Sequence, residues 1–189
     1  MGKISTYPVV STPASLSDML IGTDISANNE TENFEISQIL SLYPLVSPKA
    51  QYSSYNIQNI IGIGTPTPIR FETTDIQENG ITIDSATHSI ISFNKSGYFL
   101  VQLSVSVYAD DTENELSMWA TINNLSYGSA HIESMKYPGY RTIFMSWIIN
   151  VESSSDTLQL FWSTSDVGTT LQRVVSPAVA SSQLIITQI

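Results

Sequence analysis

Residues 98–108 constrain the fold most, because their side chains alternate between apolar and polar along most of the stretch. The apolar positions are Phe99, Val101, Leu103, Val105 and Val107. The positions between them include Gln102, Ser104 and Ser106. A period of two belongs to a β-strand that has one face in a core and the other toward water or a neighbour. The stretch therefore predicts a long strand with one buried face.

Further short segments with strand character follow at intervals of about 8 to 15 residues. They cover residues 69–73, 81–84, 89–93, 116–122, 143–151, 158–162 and 182–189. Glu78, Asn79 and Gly80 separate the first two, and this sequence is typical of a β-hairpin turn. No useful helical periodicity appears after residue 50. The pattern predicts an all-β protein, an antiparallel sandwich or jelly roll.

Residues 143–151 differ from the other predicted strands because both of their faces are largely apolar. One face carries Ile143, Met145, Trp147, Ile149 and Val151, and the other includes Phe144 and Ile148. A strand of this kind is usually covered on both sides. We therefore expect a second contact surface on this strand, in addition to the core.

Residues 1–50 are rich in Ser, Pro, Asn, Asp and Glu, and four prolines interrupt any long element. Their apolar islands, residues 19–22 and 34–40, are short, and the second fits either one or two helical turns or a short strand. Such a segment cannot form a core alone. We divide the chain into an extended N-terminal arm, residues 1–50, and a sandwich domain, residues 51–189. Composition does not separate an arm that becomes ordered against a partner from a disordered tail.

The charge of the chain argues against two classes of partner. Only 13% of the residues are charged, the net charge is −10, and Lys plus Arg number 7. A protein that grips a phosphate backbone or an anionic membrane needs a basic surface, so we expect neither nucleic acid nor membrane as a partner. No apolar run approaches the length of a membrane span, and the N-terminus lacks a signal-peptide pattern. The absence of cysteine excludes a disulfide framework and a thiolate metal site.

Few residues point to catalysis or to a cofactor. The two histidines, His88 and His131, are not accompanied by a Gly-x-Ser-x-Gly motif, so we expect no enzyme activity and no cofactor. The densest carboxylate cluster includes Asp110, Asp111 and Glu113, and oxygen-rich loops of this kind can hold Ca²⁺. The cluster lacks the spacing of an EF-hand loop, and a solvated acidic loop is the simpler interpretation.

The strand order of the second domain resembles the C1q/TNF-type jelly roll over about residues 55–189. The residues that carry the resemblance are 93–101 with their turn before Gly97-Tyr98, 118–124, 148–162 and 184–189. Ser155 stands where that family usually has Gly in the turn between paired strands. The resemblance implies a C1q/TNF-like antiparallel jelly roll, in which apolar and aromatic strand faces pack around a three-fold axis. It therefore implies a homotrimer.

A second resemblance concerns the ends of the chain. Residues 4–8, 20–24 and 35–39 look like the N-termini of many bacteriophage virion proteins, and residues 177–189 look like the end of phage structural proteins with such domains. This resemblance implies a head fibre, capsid decoration or tail fibre protein. The implied partners are phage capsid or tail proteins, and the implied location is the virion, assembled in the host cytoplasm.

Two sets of residues follow as candidates from these resemblances. The expected trimer interface contains Phe144, Trp147, Ile149 and Tyr98. The residues expected to anchor the arm on the particle are Leu20, Ile21, Phe34, Ile36 and Ile39.

Two other functions stay open. The first is a receptor-binding fibre tip that recognises a host-surface glycan or protein, for which Trp119, Tyr137 and Tyr140 are the candidate ligand-binding residues, since aromatic rings can stack on sugars. The second is a secreted cellular C1q-like binding module, which the missing signal peptide disfavours.

Overall fold

The computed structural model describes residues 19–24, 30–35, 47–110, 114–135, 138–174 and 179–189. Within these ranges all regular structure is β-strand, and no helix is long and apolar enough to cross a membrane. The chain divides into two compact units, Met1–Val46 and Ser47–Ile189. The arm limit that we drew after residue 50 falls inside the first strand of the second unit.

The first unit contains a β-hairpin of two strands, β1 (Met19–Asp24) and β2 (Glu30–Glu35). The strands are antiparallel, and Leu20 lies opposite Phe34. Three of the five residues expected to anchor the arm, Leu20, Ile21 and Phe34, are therefore brought together by one hairpin. Ile36 and Ile39 lie outside the described residues.

The second unit contains thirteen strands among its described residues. They are β3 (Lys49–Ser54), β4 (Gln58–Asn59), β5 (Thr67–Pro68), β6 (Thr73–Glu78), β7 (Ile81–Ile83), β8 (Ile91–Phe93), β9 (Gly97–Ala109), β10 (Asn114–Ile122), β11 (Leu125–Met135), β12 (Gly139–Val151), β13 (Thr157–Thr164), β14 (Thr170–Leu171) and β15 (Ser182–Gln188).

These strands form two antiparallel sheets. A seven-stranded sheet has the order β4-β14-β9-β15-β3-β6, and β12 pairs with β9. A six-stranded sheet has the order β11-β10-β13-β8-β7, and β5 pairs with β13. The longest pairing joins β12 to β9 without a register break, from Gly139 opposite Ala109 to Val151 opposite Gly97. The expected all-β antiparallel sandwich is therefore confirmed.

The core lies between the two sheets and is supplied by alternate residues of each. The predicted apolar face of β9 is fully inside, with side chains from Phe99 to Val107 exposing 2% of their surface or less. The six-stranded sheet contributes Leu116, Met118 and Trp162 to the same core, and each of them is 1% exposed or less. Complete burial of one such aliphatic or aromatic side chain contributes roughly 1.5–3 kcal/mol. The same alternation leaves the even-numbered side chains of β9 on the outer face.

The turn at Asn79 and Gly80 is a correction to the sequence prediction. It joins β6 of the seven-stranded sheet to β7 of the six-stranded sheet, and these two strands do not pair as a hairpin. Both residues have positive φ, 56° and 90°. A Cβ on Gly80 would collide with the side chain of Asn94, so this crossing requires glycine. The turn residues were identified correctly, but turn chemistry does not say which sheet the next strand joins.

Candidate assembly interface

The position of β12 in the fold accounts for its two apolar faces. Its odd-numbered residues point toward the core, where Ile143, Ile149 and Val151 are buried and Trp147 is partly buried against the core. Its even-numbered residues point outward. Phe144 exposes 76% of its surface. The second apolar face therefore carries large side chains that the second unit itself leaves in contact with water.

The four residues expected at a trimer interface divide between these two faces. Phe144 and Tyr98 lie on the outer face of the seven-stranded sheet, and both are exposed. Ile149 is completely buried between the sheets, so it is a core residue and cannot contact another copy. Trp147 points to the same inner side, at the edge of the core. The sequence prediction mixed the faces because it selected large apolar residues without separating odd from even positions.

The outward side chains of β9, β12 and β15 form one continuous surface, which we call the assembly face. Strand register places Phe144 beside Ser104, and Ser104 beside Gln183. In the next row, Ser146, Gln102 and Ile185 lie side by side. The outward residues of the three strands that reach this surface are Tyr98, Leu100, Gln102, Ser104, Tyr108, Tyr140, Thr142, Phe144, Ser146, Ile148, Asn150, Gln183, Ile185 and Thr187. None of these side chains is charged.

A shallow hollow of about 290 Å³ lies on the assembly face, directly beside the ring of Phe144. Gln102, Ser104, Ser146 and Ile185 contribute to its lining. The two serines are small, so they leave a depression between the larger side chains that flank them. The face thus presents a protruding aromatic ring and a recess next to each other.

Tyr140 lies at one end of the assembly face. Its ring packs against that of Tyr108 with 5.0 Å between the centroids and 53° between the planes. Its hydroxyl accepts a hydrogen bond of 3.2 Å from Nε2 of Gln172. Tyr137, the neighbouring ligand-binding candidate, lies outside the described residues.

Trp119, the third ligand-binding candidate, belongs to the other sheet. It lies on the outer face of β10, where its ring stacks on that of Phe161 of β13 with 5.9 Å between the centroids and 15° between the planes. Pro68 of β5 is opposite Phe161 in register. The structure therefore does not join Trp119 to Tyr140 in one site.

The edge of the assembly face is formed by β12, whose only strand neighbour among the described residues is β9. The facing edge strand of the other sheet is β11. Between them lie His131, Glu133 and Arg141, with 3.7 Å from His131 Nε2 to Glu133 Oε2 and 4.0 Å from Arg141 Nη1 to Glu133 Oε1. Charged side chains that point inward at an edge discourage strand addition by other chains. This arrangement gives His131 a structural role at the flank.

His88 lies in a turn, where its backbone N–H donates to the carbonyl oxygen of Asp84. The Asp84 carboxylate accepts hydrogen bonds of 2.7 Å from both the hydroxyl and the backbone N–H of Thr87. These bonds lower the pKa of Asp84, because they favour its charged form. The arrangement is that of a turn closed by a carboxylate.

The acidic loop considered for Ca²⁺ is only partly described, since Asp111 and Glu113 lie outside the described residues. Asp110 packs against Gly168, where a Cβ would collide with its carboxylate. The Oδ2 atom of Asp166 accepts a 2.9 Å hydrogen bond from the N–H of Gly168. Among the residues that the structure describes, no group of three or more His, Cys, Asp or Glu side chains could hold a metal ion.

A second carboxylate clamp ties the two sheets together where β12 passes to β13. Asp156 accepts hydrogen bonds from Asn123 Nδ2 at 2.8 Å and from the N–H groups of Glu152 and Ser153 at 2.8 and 3.0 Å. The bond from Asn123 is the largest cause of a lowered pKa at Asp156. Asn123 belongs to the β10–β11 turn, so one carboxylate joins two turns at the same end of the sandwich.

The sequence matches no protein-family model and no curated protein. Solved structures do match. Eiger TNF from S. frugiperda has a TM-score of 0.51 with 8% sequence identity, and the match covers 76% of this chain and 93% of that one. Murine APRIL at pH 5.0 has a TM-score of 0.47 with 12% identity, covering 76% of this chain and 99% of that one.

The likeness to Eiger TNF defines the class of fold: the second unit is a TNF-type jelly roll. The fold expected from the C1q/TNF resemblance is therefore confirmed. The resemblance of the chain ends to bacteriophage virion proteins stays a prediction.

Proposed function

We propose that this protein is a non-enzymatic structural protein of a virion, a head fibre or capsid decoration protein. Its jelly roll forms a homotrimer through the assembly face, and its N-terminal arm attaches the trimer to phage capsid or tail proteins. The observation that carries the proposal is the exposed, uncharged and partly apolar assembly face, on which Phe144 is 76% exposed.

The composition of the assembly face favours burial against protein. Large apolar side chains such as Phe144, Ile148 and Tyr98 are exposed there by 76, 58 and 57%. Several large exposed apolar groups on one face are typical of an interaction site, and the centres of interfaces are depleted in charge. No charged group has to be desolvated when this face is covered, which removes the main cost of burying a polar surface.

The shape of the face favours a closed ring of copies. Phe144 protrudes beside a hollow that the serines at 104 and 146 leave open. A knob and a recess at neighbouring positions suit a heterologous contact, in which the ring of one copy enters the hollow of the next. Such contacts close on themselves when the copies are related by rotation. The resemblance to C1q/TNF jelly rolls supports three as the number of copies.

The virion part of the proposal is supported by the chain ends and by the first unit. The strings at residues 4–8, 20–24 and 35–39 resemble those of virion proteins. The hairpin of β1 and β2 sets Leu20 opposite Phe34, so two apolar anchor candidates share one element. The first unit is compact on its own, which suits a separate attachment role.

Deletion of residues 1–45 tests the arm and the trimer together. We expect the truncated protein to keep the mass of the full-length oligomer in light scattering and to lose co-sedimentation with virus particles. Full-length protein is the reference in both measurements. Particle binding that survives the deletion would contradict the anchoring role, and a truncated protein that becomes monomeric would contradict assembly through the jelly roll.

A receptor-binding fibre tip is the second candidate, and one observation favours it. The stacked rings of Trp119 and Phe161 lie partly exposed on the outer face of the six-stranded sheet, away from the assembly face. Binding of the purified protein to host cells in the absence of particles distinguishes this function from decoration alone. A decoration protein should bind only the particle.

A further inference from the structure

A cleft of about 290 Å³ lies on the flank of the jelly roll where the chain passes from β4 to β5 and on to Glu72. It shares no lining residue with the hollow of the assembly face. Its lining is made by Ile57, Gln58, Asn59, Ile61, Thr67, Pro68, Arg70 and Glu72. These residues combine aliphatic side chains with amide, guanidinium and carboxylate groups, which is the mixture found in small-ligand sites.

The floor of the cleft is fixed by hydrogen bonds. The buried side chain of Gln58 accepts from the backbone N–H of Arg70 at 2.8 Å through Oε1 and donates to the Arg70 carbonyl at 2.9 Å through Nε2. The hydroxyl of Ser182 donates to the same carbonyl at 2.9 Å. The Arg70 backbone is thus held on both sides, while its side chain is exposed. The backbone of the cleft is therefore in place before a ligand binds, and only side chains such as that of Arg70 have to be ordered.

The polar groups at the cleft balance each other in charge. Arg70 makes no ion pair of 4.0 Å or less within the described part of the chain, and the Oε2 atom of Glu72 is buried there without a hydrogen-bond partner. Arg70 and Glu72 therefore line the same recess, together with Asn59. The guanidinium donors of Arg70 and the amide of Asn59 suit a ligand that offers both hydroxyl donors and acceptors and carries no charge itself.

An apolar row leads away from the cleft across the outer face of the six-stranded sheet. Pro68 lines the cleft and is opposite Phe161, which in turn is opposite Trp119. The three rings therefore occupy adjacent positions on β5, β13 and β10. Ile57 and Ile61, exposed by 59 and 73%, add aliphatic surface at the cleft. Rings and aliphatic groups of this kind pack against the C–H faces of sugars, which also need hydrogen bonds at their edges.

We propose that the cleft and this row form a binding site for a neutral glycan. One hexose or N-acetylhexosamine residue occupies the cleft and exchanges hydrogen bonds with Arg70 and Asn59. The next residues of the glycan lie along Pro68, Phe161 and Trp119. The balanced charge favours a neutral sugar over an anionic one, since a sialic acid or sulfate group would meet the Glu72 carboxylate. The inference deepens the second candidate function, the receptor-binding tip, and rests on it because both use Trp119 and Phe161. Neither the trimer nor the particle attachment uses these residues.

The test uses full-length protein on an array of immobilised neutral oligosaccharides built from hexoses and N-acetylhexosamines, with sialylated and sulfated glycans on the same array. A glycan that binds is then titrated in solution. Loss of a charge-assisted hydrogen bond in Arg70→Ala should weaken binding by about tenfold or more. Trp119→Leu should weaken it by about fivefold. Arg173→Ala is the matched control, since Arg173 is also an exposed arginine but lies outside the cleft.

The expected result is binding of at least one neutral glycan that Arg70→Ala and Trp119→Leu weaken and Arg173→Ala leaves unchanged. Absence of binding to every neutral glycan, binding confined to anionic glycans, or neutral-glycan binding that Arg70→Ala does not change would each overturn the proposal. Binding to host cells that persists after enzymatic removal of surface glycans would point to a protein receptor and would also overturn it. Light scattering on the same samples reports the oligomer separately, so failure of glycan binding is distinguishable from failure of the trimer.

Discussion

The outer faces of the two sheets differ although both are built from alternating strands over the same core. The face of β9, β12 and β15 carries no charged side chain and exposes Phe144 and Ile148. The face of the six-stranded sheet carries Glu115 and the stacked Trp119–Phe161 pair. The inner faces of both sheets pack into one hydrophobic core, so the difference lies in what each sheet is expected to contact outside the molecule.

This difference separates two ways of using exposed apolar groups. On the assembly face, separate large side chains alternate with Ser and Gln and surround a hollow, which suits an interdigitating protein contact. On the six-stranded face, the aromatic rings stack on each other in one row and end at a polar cleft. The first arrangement favours a second copy as partner, and the second favours a small ligand with its own hydrogen-bonding groups.

The largest expected effect comes from placing the same charge on each of the two faces. Ile148 and Ile132 are exposed by 58 and 61%, but Ile148 lies on the assembly face and Ile132 on the outer face of β11. Ile148→Asp should dissociate the oligomer, because an unpaired carboxylate in the interface costs about 3 kcal/mol or more in each copy. Ile132→Asp should leave the mass in light scattering unchanged. Equal behaviour of the two variants would remove the distinction between the faces.

An intermediate effect is expected from neighbouring residues on opposite sides of β13. Trp162 is completely buried in the core, so Trp162→Ala should lower the free energy of unfolding by about 3–5 kcal/mol. Phe161→Ala removes an outer ring stacked on Trp119 and should cost about 1 kcal/mol. Urea unfolding at one fixed protein concentration measures both. If Trp162→Ala does not fold, Trp162→Phe is measured in its place. A smaller loss of unfolding free energy at Trp162 than in Phe161→Ala would contradict the assignment of Trp162 to the core and Phe161 to the outer face.

The smallest expected effect concerns the clamp that joins the two sheets through Asp156. Its pKa is lowered in the folded state, so its contribution to stability is present above the pKa of the unfolded chain and is lost as pH falls through the lowered value. Asp156→Asn should lower the melting temperature at neutral pH and weaken its dependence on pH below about pH 4. Asp75→Asn, which removes the same charge from exposed strand β6, is the control. If the melting temperatures of the wild type and of Asp156→Asn change equally with pH across this range, the clamp is contradicted.

Much of the fold could be predicted from the sequence because burial follows alternation. The inward residues of β9 were identified from their period of two, and the pair Asn123–Asn124 closes the β10–β11 turn with φ of 51° and 65°. The path between the sheets could not be predicted. At Gly80 the chain crosses to the other sheet, and only long-range contacts such as that with Asn94 decide this.

Less of the candidate sites than of the fold could be predicted from the sequence. Alternation marked both faces of β12 as apolar, but it did not say which face the core would take, and Ile149 was therefore misplaced. The glycan cleft gave no local signal, because Gln58, Arg70 and Ser182 come from separate segments whose hydrogen bonds exist only in the fold. Trp119 was identified only as an aromatic residue that could stack on a sugar. Its partner Phe161 could be found only from the strand register.

The central claim is that the assembly face, the uncharged outward side of β9, β12 and β15, is covered by further copies of the same chain. Light scattering of the full-length protein coupled to gel filtration, over a dilution series, tests it most directly. We predict a mass of three chains that persists on dilution in the wild type. A stable monomer at every concentration would contradict the account.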